Sequence, residues 1–436
     1  MKDSFKLLSE KFLSGSLTVL TVSMIARLVG LLKEIVIAKE FGLSAELDTY
    51  FLAILIPMYA VVSLTNPLGP TFIPVYNRLE IKGKEEAQVL FSKILGYVFY
   101  GSVALALIYW ILIPFLSIVL NVDATNESLF RSISLLFVPI VVVQSISNYL
   151  LPFLENRKLF IFTSMGTVLS SLGVLVFIYL FSSILSIAAG MLASALLFLF
   201  IQIVALLMKG NVRLIFSFKL DRVETGLKKQ YSWLLLASAT MGSTLVVDQY
   251  MASFFGVSSV SGLNYGYKLA GIVCGLGSIS LATVALPVFS KLIAQGNKDK
   301  VQSLVRSVLS LIAFLSIPLV VVIYLYSDEI ISLIFERGAF KAVEVDFVSE
   351  LLKFYILQFP FYVGGVVLSR LMSTLGKNDQ VFVISFVALI LNVMLNIGFT
   401  KWIGISGIAL STSVVYLFTF IALFFTSGNA LQKDFA

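Results

Sequence analysis

The sequence predicts an all-α polytopic membrane protein of about twelve transmembrane helices, arranged as two six-helix lobes related by a parallel repeat. Three observations predict it. The 436 residues are 59% hydrophobic and 13% charged, about half the charged fraction of a soluble domain, and the mean hydropathy is +1.00. Apolar stretches long enough to cross a bilayer recur along the whole chain. A motif block near the start returns in the second half.

The N-terminal MKDSFKLLSEKF is too polar for a signal peptide and reads as a cytoplasmic leader. Stretches that can span lie near 16–39, 48–78, 91–118, 130–152, 160–181, 184–208, 231–255, 262–291, 303–326, 348–373, 380–401 and 405–427. With the N-terminus inside, outside segments hold only Arg131, Arg337, Lys341 and Lys401, and most of the 31 basic residues fall inside. That asymmetry sets the orientation and returns the C-terminus to the cytoplasm. It also accounts for the net charge of +7 without a nucleic-acid partner, because the basic residues cluster at loop ends. The longest loops are 209–230 and 327–347. The first is basic and amphipathic and reads as a cytoplasmic linker, a helix on the membrane surface. The expected organisation is an N-terminal lobe 1–208, the linker 209–230 and a C-terminal lobe 231–436.

The halves resemble each other. Glu34 precedes Phe41-Gly42-Leu43-Ser44 by seven residues, and Asp248 precedes Phe255-Gly256-Val257-Ser258 by the same seven. Further on, Pro74-Val-Tyr-Asn-Arg-Leu79 matches Pro287-Val-Phe-Ser-Lys-Leu292. The offsets are 214 and 213 residues. An even number of spans per half gives both halves the same orientation, an arrangement used by secondary transporters.

The chain has no histidine and one cysteine, Cys274. No internal disulfide can form, and the commonest general base and metal ligand is missing. No catalytic residue, metal or cofactor is expected, and the chain reads as a transporter rather than an enzyme. Pro57, Pro67, Pro70 and Pro74, four of ten prolines, crowd the second span. Each removes a backbone donor, so the span should be bent or broken. It is either a static kink that helps packing or a hinge or gate beside a cavity.

Charges inside spans are the sharper signal, because each costs about 2.5–3.5 kcal/mol at mid-membrane. Arg27, Lys33 and Glu34 fall in span one, Asp48 opens span two, Asp248 lies in span seven and Lys268 in span eight. Arg27 and Glu34, two turns apart, share a face. Lys33 points elsewhere, free to pair with another helix. Lys33–Glu34 and Asp248–Lys268 are the candidate structural ion pairs. Lys39, Asp48 and Lys353, near span ends, suit structural or snorkelling roles. Arg27, Lys33 and Lys268 make the interior cationic, which suits a phosphate or pyrophosphate group. Glu34, Asp48 and Asp248 would pair with these charges or bind Na⁺ or protons. Asn66, Gln144, Asn148, Asn264, Asn392 and Asn396 read as interhelical glue.

The run Arg27-Leu-Val-Gly-Leu-Leu-Lys33-Glu34, then Ala38, Phe41-Gly42 and Asp48, resembles the N-terminal signature of the MurJ/MviN lipid II flippases. Asp248, Ala252-Ser253, Ser261-Gly-Leu-Asn-Tyr265, Lys268 and Leu286-Pro287 resemble its second-half counterpart. Phe335-Glu-Arg-Gly-Ala-Phe340 and Leu391-Asn-Val-Met-Leu-Asn396 are similar too. The resemblance covers most of the chain. It implies the wider multidrug/oligosaccharidyl-lipid/polysaccharide exporter superfamily, two lobes about a central cavity, and alternating access that turns over an undecaprenyl-pyrophosphate glycan in the bacterial inner membrane. Arg27, Lys33, Asp48 and Lys268 fall where that family has functional charges. Tyr59-Ala-Val-Val-Ser63 stands where the family has basic residues in mid span two. The family also usually carries two further C-terminal helices. The glycan is therefore open: lipid II, or an O-antigen or capsule unit. A cation-coupled drug exporter and, from another class, a membrane-embedded glycan polymerase or ligase are the rival readings. The latter would want a larger outside loop than 327–347.

The orientation is testable by labelling spheroplasts with a membrane-impermeant maleimide. Glu336→Cys is expected to react in intact cells and Glu85→Cys only after permeabilisation. The reverse pattern contradicts the orientation.

Overall fold

The computed structural model describes residues 26–157, 159–209, 225–294 and 298–434. The leader and most of the linker 209–230 lie outside the described residues. Every apolar stretch carries a helix, and no strand occurs among the described residues. Helix α1 covers 26–41. It is followed by α2 (Ala45–Thr65), α3 (Leu68–Lys82), α4 (Lys84–Val119), α5 (Glu127–Asn156), α6 (Phe160–Phe181) and α7 (Ile184–Lys209). The second half holds α8 (Thr225–Ala252), α9 (Ser259–Ala294), α10 (Lys298–Leu325), α11 (Ser327–Phe335), α12 (Ala342–Ile356), α13 (Phe359–Thr374), α14 (Asn378–Ile403) and α15 (Ser406–Asp434). A bilayer offers the backbone no hydrogen-bond partners, so helices that satisfy their own are the natural solution. Among the described residues seven helical segments are long and apolar enough to cross a membrane, or eight if α12 and α13, bent by 42°, form one broken span.

The chain divides into two compact units. One takes residues up to Glu40 and Ala53–Leu235; the other takes Phe41–Leu52 and everything from Leu236. The first is built around an aromatic core of Phe72, Tyr76, Phe91, Tyr149 and Phe153 on α3, α4 and α5. Its α6 and α7 approach closely at Gly173 and Gly190, where a Cβ on Gly190 would stand 2.7 Å from the Gly173 carbonyl oxygen. Small residues at such crossings let helices pack without a hydrophobic driving force. The second unit has an aliphatic core from α9, α10, α12, α13 and α15, including Cys274, Val305, Ile356, Val367, Leu371 and Leu423.

The repeated Phe-Gly-X-Ser block has a local cause. Gly42 (φ +56°) and Gly256 (φ +93°) both adopt the left-handed backbone that stops a helix. Ser44 then starts the next one, its Oγ accepting from Leu47 N at 3.2 Å. At Gly42 space is also limiting, since a Cβ would meet the Ala339 carbonyl oxygen at 2.9 Å. Gly256 has open space.

The proline-rich span is interrupted for two residues at Asn66–Pro67, between α2 and α3, within one segment from Ala45 to Lys82. Pro70 falls in the first turn of α3, where its missing N–H costs little. Pro57 and Pro74 stand inside α2 and α3. Pro57 denies Ala53 its helical donor, and the Tyr109 hydroxyl of α4 fills that place, donating to the Ala53 carbonyl at 3.0 Å. At the break the Tyr231 hydroxyl of α8 donates to the Leu64 carbonyl at 2.9 Å, and Asn148 Nδ2 donates to Thr65 Oγ1 at 3.1 Å. The second half keeps Pro287 as the counterpart of Pro74 but has no proline at the positions matching Pro57, Pro67 and Pro70, and α9 runs from Ser259 to Ala294 without a break.

The loop 327–347 holds an unforeseen short helix, α11. Asp328 in its first turn binds Lys353 Nζ at 2.9 Å and accepts from Ser349 Oγ. These partners, Ser349 first, hold its carboxyl below the usual range. Lys353 is thus the structural end-of-span residue its position suggested.

Tyr109→Phe leaves the Ala53 carbonyl buried without its donor, at a cost of about 1–3 kcal/mol. A thermal-unfolding assay in detergent micelles is expected to show a lowered midpoint; an unchanged midpoint contradicts this role for the hydroxyl.

Candidate functional site

The intramembrane charges form three groups. In the first unit, α1 carries Arg27, Lys33 and Glu34, all partly buried. Lys33 Nζ sits 2.9 Å from Glu34 Oε1, with side-chain exposures of 23% and 13%. Residues one apart do not face each other on a helix, so Lys33 could have paired with another helix, but of the two candidate ion pairs Lys33–Glu34 is the one that forms. The four-carbon lysine stem folds back to its neighbour. Among the described residues no ion pair holds Arg27. Lys39 is exposed and stands 3.7 Å from Glu40.

The second group lies on the seam between α2 and α9, inside the second unit. Asp48 is 8% exposed. Its Oδ1 accepts from Ser261 N at 2.7 Å, in the first turn of α9. The carboxylate therefore caps a helix N-terminus, where orphan amides and the helix dipole both favour negative charge. It is a buried cap rather than a snorkelling end residue. Around it, Leu43 N donates to Glu344 Oε1 at 3.0 Å and Ser258 Oγ donates to the Leu43 carbonyl at 2.6 Å. One turn along α2, Phe51 meets Lys268, whose Nζ lies 4.6 Å from the Phe51 ring centroid and 5.8 Å from that of Tyr265. Phe335 and Phe340 pack behind Tyr265 at centroid distances of 5.0 and 6.1 Å. That packing gives the Phe-Glu-Arg-Gly-Ala-Phe motif a structural meaning.

The third group surrounds Asp248 on α8, 3% exposed. Oδ1 accepts from Asn392 Nδ2 at 3.1 Å and Asn396 Nδ2 at 2.7 Å; Oδ2 accepts from Thr412 Oγ1 at 2.8 Å. The anticipated Asp248–Lys268 ion pair does not form. Lys268 is engaged by rings, and the carboxylate is met by neutral donors on α14 and α15. Asn392 and Asn396 were legible as glue, and their spacing of four residues puts them on one face. Thr412 was not legible, because hydroxyls are common in membrane helices. Asn396 Oδ1 is buried with no hydrogen-bond partner among the described residues. The carboxylate is thus buried among three neutral donors from two neighbouring helices. Among the described residues no cluster of His, Cys, Asp and Glu suits a metal.

Of the prolines, Pro67 marks the break and Pro57, Pro70 and Pro74 flank it within the first unit. The amide network next to it runs from Gln144 to Asn148 (3.0 Å) and on to Thr65.

Comparison with known proteins adds a family. The family model described as lipid II flippase MurJ matches residues 37–436. The chain is similar to a probable lipid II flippase MurJ of Buchnera aphidicola subsp. Baizongia pistaciae, 23% identical over 421 residues, 92% of this chain and 81% of that protein. It is similar to the lipid II flippase MurJ of Thermosipho africanus, 24% identical over 432 residues, 94% of this chain and 84% of that protein. Among solved structures, a lipid II flippase MurJ in an inward closed conformation superposes with TM-score 0.82 at 22% identity, covering 94% of this chain and 87% of that one. An inward-facing multidrug transporter of the MATE family superposes with TM-score 0.77 at 15% identity, covering 96% and 99%.

Thr412→Val keeps the shape at the Asp248 cradle but removes one hydrogen bond to a buried carboxylate. Such bonds contribute about 1.5–3 kcal/mol. The purified variant is expected to lose that much stability against thermal aggregation; wild-type stability would place the hydroxyl outside the cradle.

Proposed function

The chain belongs to the MurJ lipid II flippase family, and on that premise we propose that it moves an undecaprenyl-pyrophosphate-linked glycan across the bacterial inner membrane by alternating access. The match over residues 37–436 carries this reading. The glycan is lipid II or a related lipid-linked oligosaccharide.

Arg27, Lys33 and Lys268 hold the pyrophosphate. A phosphate oxygen gains about twice the usual hydrogen-bond strength from a charged donor. Positive side chains kept away from lipid provide this where water is scarce. The polyprenyl tail stays in hydrocarbon throughout. Only the polar head needs a protein path, which avoids a penalty of several kcal/mol for each bare polar group.

Asp48 and Glu34 balance the local charge. Asp248, held by Asn392, Asn396 and Thr412, couples a sodium ion or a proton to the cycle. The broken span at Asn66–Pro67, with Pro57, Pro70 and Pro74 around it, is the hinge. The two lobes, 1–208 and 231–436, carry the alternation, joined through 209–230.

The test is replacement of the resident lipid II flippase. In cells depleted of that protein, this chain is expected to restore growth and outer-leaflet lipid II. Failure to rescue with the protein correctly inserted contradicts lipid II as substrate and points to another lipid-linked glycan.

A further inference from the structure

We infer that Phe51, backed by Tyr265, is a positioning residue for Lys268: its ring face fixes the lysine ammonium in the orientation that receives the substrate's pyrophosphate. This rests on the reading of Lys268 as a headgroup ligand. Lys268 is half-buried on α9, and a lysine stem loses rotamer freedom when held still. Something must offset that loss before the substrate arrives. The ammonium stands 4.6 Å above Phe51 and 5.8 Å from Tyr265, within the distance at which ring quadrupoles attract a cation. The rings are themselves fixed. Phe51 is 4% exposed and Tyr265 0%, they meet edge-to-face at 6.3 Å, and Phe335 and Phe340 close the far side of Tyr265.

A ring face attracts the cation through its quadrupole. Tyr265 and Lys268 are three apart on α9 and share a face, so Tyr265 is set by the helix itself. Phe51 comes from α2, and its Asp48 neighbour one turn away pins that helix to the α9 N-terminus. The Asp48 cap therefore also sets the register that brings the Phe51 ring under Lys268.

The test uses the full chain in proteoliposomes containing lipid II, with translocation rate measured against lipid II mole fraction. Phe51 is replaced by a trifluorinated phenylalanine, which keeps the shape and packing of the ring but removes its negative face. Apparent KM is expected to rise about two- to thirtyfold with the maximal rate within about twofold, the range of an exposed to a desolvated cation–π contact. Phe51→Tyr keeps wild-type KM. In a Lys268→Met background the fluorinated ring has no further effect. Two results overturn the inference: an unchanged KM with the fluorinated ring, or the same rise in the Lys268→Met background. If Lys268→Met alone keeps wild-type KM, the headgroup role of Lys268 is what fails, a result distinguishable from both.

Discussion

Hydrocarbon supplies no partner for a charge or a bare carbonyl, and several of those buried among the described residues are met by a specific group of the protein. Asp48 is met by the α9 N-terminus, Asp248 by two amides and a hydroxyl, Lys33 by Glu34, and Lys268 by ring faces. The same rule governs the backbone. Pro57 leaves the Ala53 carbonyl exposed to the interior, and Tyr109 supplies its donor. Removal of any one of these partners leaves the other stranded at a cost far above the small net gain of an ordinary hydrogen bond.

The two halves share a sequence block and diverge in how they use it. The first half interrupts its second span at Asn66–Pro67, while α9, with Pro287 but no counterpart of Pro57, Pro67 or Pro70, continues unbroken. The acidic residue ahead of each Phe-Gly-X-Ser turn is also used differently. Glu34 neutralises an adjacent lysine; Asp248 is buried among neutral donors on α14 and α15. One half thus carries an interrupted, proline-rich span and the other a polar cradle around Asp248.

Much of this was legible in the sequence, because the bilayer writes strong signals. Among the described residues every apolar stretch became a helix, and the proline cluster became a two-residue interruption. Both Phe-Gly-X-Ser turns follow from a glycine at positive φ, joined in the first half by a serine cap. What the sequence concealed was pairing across long separations. Nothing near Asp248 announces Thr412, 164 residues away, and nothing near Pro57 announces Tyr109. The Asp248–Lys268 pair looked natural by charge alone, yet rings answered the lysine and amides answered the carboxylate. The short helix α11 was missed because nine residues are too few to show helical periodicity against a loop background. The match to the MurJ family, extending over residues 37–436, agrees with the resemblance carried by the motif blocks.

The central claim is that positive side chains withheld from lipid bind the headgroup, and Arg27 is its cleanest representative, since among the described residues no ion pair holds it. The direct measurement is translocation of fluorescent lipid II in proteoliposomes by Arg27→Ala and Arg27→Lys, each checked for folding and insertion. Arg27→Ala should lose nearly all translocation, and Arg27→Lys should keep part of it, because a point charge replaces a bidentate fork. An inserted, folded Arg27→Ala protein that moves lipid II at the wild-type rate would contradict the account.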